Sequence, residues 1–171
     1  MSNVSNIIKG FNKVKLEGEP DNNGTETCNC REDPCPLAGK CNVKEIIYEG
    51  LITDSDDKVS RYVGLSSTKF IERFRGHKNS LKYSENRAKT QLSRKVWDLK
   101  DKGKFKQLKF NITKKSKSYQ AGDKVCQLCL NEKIVILASF KSEGDTIEPT
   151  NSRDELFRIC IHRDRRKLSN L

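Results

Sequence analysis

Four cysteines crowd into fourteen residues, Cys28-x-Cys30, then Cys35 and Cys41. Thiolates are the common ligands of a tetrahedral zinc. The run they occupy, Cys-Asn-Cys-Arg-Glu-Asp-Pro-Cys-Pro-Leu-Ala-Gly-Lys-Cys, has two prolines, a glycine and few apolar residues. It cannot fold around a core of its own, so a zinc held by Cys28, Cys30, Cys35 and Cys41 would fold it through ligation. Disulfides are the alternative, and a reducing compartment disfavours them. Cys126-x-x-Cys129, with Cys160 and His162 closing from a distant segment, offers a second and weaker four-ligand set. Thiols also bury readily without metal, so core cysteines beside a surface histidine are the alternative there.

One carboxylate stands out. Glu132 interrupts the apolar run 125–140 between Leu130 and Ile134, where an acid is costly unless it turns outward or meets a cation. The three-residue step from Cys129 puts the two about 60° apart on a helix. A zinc on Cys129 would then fix the register of Glu132, whereas a zinc on the first four cysteines would order that knob or extend a nucleic-acid-binding surface and leave the chemistry untouched.

The 171 residues carry 34 Lys and Arg against 23 Asp and Glu, a net charge of +11. Residues 61–117 hold 18 basic and 4 acidic side chains, +14 in all, so the flanks together sum to −3. Tyr62, Phe70, Phe74, Tyr83, Trp97 and Phe105 interleave the charges, so the block folds and does not trail as a tail. A basic folded block concentrates polyanions, and nucleic acid is the leading partner; a solubilising surface is the bland alternative. With 34% hydrophobic and 33% charged residues, the chain suits one modest domain and excludes a multi-domain machine. No stretch reaches the 18 to 20 or so apolar residues of a membrane span, and no signal-peptide core opens the chain, so the expected protein is soluble and intracellular.

The elements that must position these groups follow from pattern. Val4, Ile7, Ile8 and Phe11 suggest a short amphipathic helix over 1–15, followed by an acidic linker over 17–26. Runs 45–53 and 60–66 read as a hairpin closed by Asp54-Ser55-Asp56-Asp57. Ser67 or Thr68 is expected to cap a helix with Phe70, Ile71, Phe74 and Leu81 on its apolar side, and Arg73 and His77 border that surface one turn apart. A second helix starts near Thr90 and ends at Gly103. A third strand follows over 105–113, then a polar basic loop over 114–120. Ser152 and Glu155 read as a capping box for a last helix over 153–161, leading into a basic end at 163–167.

In that order a resemblance emerges. Ile46-Ile47-Tyr48, Tyr62-Val63-Gly64 and Phe70-x-x-Arg73-x-x-x-His77 resemble the core of the GIY-YIG nucleases: two tyrosine-bearing strands, then a helix bearing arginine. The upstream cysteine run, Thr90-x-Leu92-Ser93 with Trp97-x-Leu99-Lys100, and Cys126-x-x-Cys129-x-x-Glu132-Lys133 resemble the C-terminal endonuclease of Penelope-like retroelements across nearly the whole chain. The first glycine of the family motif is Ile46 here. The resemblance implies Tyr48 and Tyr62 around an attacking water, Arg73 and His77 near the phosphate, Glu132 as the ligand of Mg²⁺ or Mn²⁺, and Asn151 as the family's late asparagine. It also implies a nuclear enzyme acting on DNA, joined in a parent polyprotein to a reverse transcriptase or standing alone as a relative of such a domain.

The expected fold is α+β: a small three-stranded, mostly antiparallel sheet flanked by helices, with a cysteine-rich zinc knob. Residues 1–27 form helix and linker, 28–44 the knob and 45–171 the nuclease domain. The expected function is a metal-dependent DNA endonuclease that nicks target DNA to prime insertion. The rivals are a structure-specific repair or recombination nuclease and a catalytically silent zinc-stabilised DNA-binding module.

Overall fold

A computed structural model describes residues 28, 30–120, 122–141 and 147–160. The expected first helix, the acidic linker and the basic end lie outside these residues, as does His162. Two β-rich runs pair as foreseen: β1 (Ile46–Asp54) and β2 (Val59–Ser66) are antiparallel from Ile46↔Ser66 to Thr53↔Val59. Their turn is tied by Asp54, whose Oδ1 accepts from the backbone amides of Asp56 and Lys58, both at 2.9 Å. On the other side of β1 lies β3 (Phe105–Lys115), also antiparallel.

The sheet has four strands, not the expected three. β4 (Ile147–Pro149) adds to β2 in parallel, giving the order β3-β1-β2-β4. Three residues are too few to show an alternation, and the terminal proline argues against a central strand while suiting an edge.

Among the described residues three α-helices cover the sheet: α1 (Phe70–Lys82), α2 (Gln91–Asp101) and α3 (Gln127–Lys141). Thr90 starts α2 with a reciprocal box, accepting from the Ser93 amide and donating its own amide to Ser93 Oγ, both at 3.0 Å. At α1 the expected Ser67 or Thr68 cap is replaced. Lys69 is the cap residue and makes no side-chain bond. Instead the amides of Phe70 and Ile71 donate to the carbonyls of Val43 (3.0 Å) and Cys41 (2.9 Å), so the cysteine knob satisfies donors that a helix start leaves open. The expected last helix is a single 3₁₀ turn, Arg153–Phe157, without a Ser152 side-chain cap, because Glu155 is turned inward to Asn151.

β1 buries both faces, which explains its unbroken Ile46-Ile47-Tyr48 start. Ile46, Tyr48 and Ile52 face one core with Phe70, Leu92, Val96 and Phe110; Ile47 faces the other with Val63, Leu128 and Ile136. Leu92 is fully buried, and trimming it to alanine would cost about 2–5 kcal/mol. Leu37 and Cys41 belong to the Tyr48 core, so the knob shares the main core. On α3, Leu130, Ile134 and Leu137 remain exposed, which is why that run reads as evenly apolar. Among the described residues no helix is long and apolar enough to cross a bilayer.

Candidate active site

Strand alternation sends Tyr48 and Tyr62 into the core that receives α1. Their ring centroids are 6.4 Å apart. Gly64 lies opposite Tyr48 in the ladder, and a Cβ there would fall 2.6 Å from the Tyr48 hydroxyl. Only glycine admits the phenol at this point.

On α1, Arg73 and His77 are one turn apart and both reach Tyr48. The Tyr48 hydroxyl lies 2.7 Å from His77 Nε2, and Arg73 Nε donates to the same oxygen at 3.1 Å. His77 is 3% exposed; burial first, then the charge of Arg73, lowers its pKa to about 3, so the imidazole is neutral. Arg73 can only donate, so the tyrosine oxygen accepts from it, and the direction of its bond to Nε2 follows the imidazole tautomer. Burial, with Tyr62 adding to it, pushes the Tyr48 phenol well above its usual range against the pull of Arg73. The Tyr62 phenol is likewise raised by burial and opposed by Arg73. Phe110 closes the cluster, stacked on His77 at 5.8 Å.

Glu132, one turn beyond Cys129 on α3, lines a cleft of about 290 Å³ with Arg73, Ser66, Thr68, Lys133 and Arg158. Burial, then nearby Glu155, raises its carboxyl to about 7, opposed by Arg158 and Arg73. Glu132 is the one carboxylate lining this cleft, and the charged side chains beside it, Arg73, Lys133 and Arg158, are cationic. The expected residues thus meet in two layers: Tyr48, Tyr62 and His77 packed together, with Arg73 reaching from Tyr48 into the cleft that Glu132 lines.

Asn151 sits behind β2. Its Oδ1 accepts from the Val63 amide at 2.7 Å, and Nδ2 donates to the Val63 carbonyl at 2.8 Å and to Glu155 Oε2 at 2.6 Å. With both ends of the amide engaged, it braces the strand residue between Tyr62 and Gly64. Glu155 is the residue that sequence reasoning missed: its carboxylate is only 6% exposed and also pairs with Arg158 at 3.4 Å. Its spacing from Ser152 carried a capping-box signal, which hid the buried role.

Both cysteine sets come together. The ligand atoms of Cys28, Cys30, Cys35 and Cys41 lie within 4.8 Å of one another, as do those of Cys126, Cys129 and Cys160. None of the seven forms a disulfide. Hydrogen bonds from Cys30 and Cys41 lower the Cys28 thiol to about 6, so the first set already favours one thiolate, the form zinc binds. Cys129 and Cys160 also line the Glu132 cleft.

Part of the basic block is already neutralised: Arg61 pairs with Glu49, Lys95 with Glu148, Lys104 with Asp56 and Lys106 with Asp57. In comparisons with known proteins, no family model, no curated protein and no solved structure matches the chain.

Proposed function

We propose that the chain is a metal-dependent DNA endonuclease of the GIY-YIG type, acting in the nucleus to nick target DNA and prime retroelement insertion. The observation that carries this reading is the Tyr48 hydroxyl held between neutral His77 and charged Arg73, behind a cleft shared by Arg73 and Glu132.

Hydrolysis of a phosphodiester must take a proton from water, steady the charge gathering on phosphorus and release a 3′ oxygen. Tyr48 has no exposed surface and Tyr62 has 4%, while Arg73, bonded to the Tyr48 hydroxyl, is exposed to solvent. A phosphate entering the cleft draws the guanidinium fork to its oxygens, and Nε leaves the Tyr48 oxygen. That oxygen can then accept a proton from the attacking water while its own proton moves to His77 Nε2. The new bond joins water oxygen to phosphorus, the bond to the 3′ oxygen breaks, and the leaving oxygen takes a proton from solvent. Glu132 would hold Mg²⁺ or Mn²⁺, which when bound polarises the phosphate and stabilises the leaving oxygen. The two cysteine sets would hold structural zinc, the first on four thiolates and the second on three, with His162 as the proposed fourth ligand.

Incubation of purified protein with supercoiled plasmid and Mg²⁺ or Mn²⁺, against a chelated control, tests the reading. Open-circle product that needs the ion supports it, and no product with either ion leaves a silent DNA-binding module. Preference for branched over linear and nicked substrates would favour a repair or recombination nuclease.

A further inference from the structure

A second concavity lies away from the cleft. It is a groove of about 600 Å³ between the cysteine knob and β3, within the size range of ligand sites. Its apolar lining includes Leu37 from the knob, Phe74 from α1 and Phe110 and Ile112 from β3. Lys40 and Lys109 line it too, and no acidic residue does. Both lysines are exposed, and neither belongs to an ion pair among the described residues. Phe110 connects the groove to the catalytic cluster, since the same ring stacks on His77.

Phe110 is 8% exposed, so the ring this floor presents is the half-buried Phe74, and an apolar floor with unneutralised cations beside it matches one class of ligand. Unstacked bases lie on such a floor while their phosphates meet the lysines, and each stacked base adds affinity whatever its identity. A duplex keeps its bases paired and stacked, so it cannot use the floor. A peptide strand adding to the β3 edge would meet Lys106 and Lys109, the kind of edge charge that discourages strand pairing. We propose that this groove is a subsite for single-stranded nucleic acid, one that holds unpaired nucleotides next to the bond being cut. It rests on the nucleic-acid reading of the basic block and extends it to a second contact surface.

The test is fluorescence anisotropy with the full chain, zinc-loaded, using a labelled oligothymidine of about twelve nucleotides, a span that one small domain covers. An abasic strand of equal length and a duplex are measured beside it. Lys40→Glu combined with Lys109→Glu should weaken oligothymidine binding by about tenfold or more and lower its salt slope by about 1.4, two contacts at about 0.7 each. Duplex binding should fall by less than oligothymidine binding does. The abasic strand should bind at least about fivefold more weakly than oligothymidine, the loss of one stacked base. Equal losses on both strand types, no loss on oligothymidine, or an abasic strand that binds equally well would overturn the proposal. Plasmid nicking by a protein that ignores oligothymidine removes the groove and keeps the nuclease. Selective oligothymidine binding by a protein that never nicks does the reverse.

Discussion

The hydroxyl of Tyr48 lies 2.7 Å from Nε2 of His77, and that bond ties the central strand of the sheet to the helix that carries Arg73. The sequence separation is 29 residues, yet the contact is buried on all sides. Any reaction that uses this cluster depends on three groups sharing one oxygen.

Tyr48→Phe therefore removes one atom and two bonds. Arg73 Nε can turn to solvent, but His77 Nε2 is left buried without its partner, so stability should fall by about 1–3 kcal/mol. Nicking should fall about 10²- to 10⁴-fold, the usual range for a lost proton-transfer group, with duplex affinity retained. Urea unfolding and plasmid relaxation rates check the two expectations separately.

Gly64→Ala should act on the same oxygen from the other side. The new Cβ would stand 2.6 Å from it and 2.7 Å from Cζ of the ring, so Tyr48 or β2 must shift, at about 1–3 kcal/mol, and nicking should drop with it. Gly76 in α1 is the control, since a Cβ there meets nothing within 4 Å. Gly76→Ala should stabilise by about 0.5–1 kcal/mol and leave nicking alone.

Acid should weaken the fold through His77. The folded imidazole takes a proton only near pH 3, whereas in the unfolded chain it does so near 6.5. Between these values the unfolded state binds more protons, so stability is lost as pH falls from about 6.5 toward 3, by up to about 1.4 kcal/mol per pH unit from this group. The slope should be steeper in the wild type than in His77→Gln, measured by urea unfolding at a series of pH values. Equal slopes would mean that the histidine is not held neutral by its site.

Zinc removal should reach α1. The carbonyls of Cys41 and Val43 receive the first amides of that helix, and Glu32 pairs with Lys78 at 2.6 Å. A chelator or Cys41→Ser should lower the hydrogen-exchange protection of the Phe70 and Ile71 amides and slow nicking as well as binding. On sequence alone the knob was expected to spare the chemistry, because nothing in residues 28–44 shows that their carbonyls cap a helix some thirty residues later. Retained protection at both amides in the metal-free protein would contradict the cap.

The tyrosines, Arg73 and His77 were legible because each sits in an element with a clear period, and Glu132 because it interrupts an apolar run; their order along the chain limits where they can meet. β4 and Glu155 were not. Three residues carry no period, and Glu155 with Ser152 imitates a helix start whose side-chain bond is absent. Asn151 was legible as a position, while its bond to the Val63 backbone arises only once the chain returns to β2.

The measurement that bears most directly on the central claim is plasmid nicking by Glu132→Ala with Mg²⁺ or Mn²⁺, alongside its duplex affinity. Removal of the cleft carboxylate should abolish nicking and leave affinity equal or higher, since a group that repels phosphate has gone. Undiminished nicking by the variant would contradict the metal-bearing role of Glu132 and, with it, the proposed mechanism.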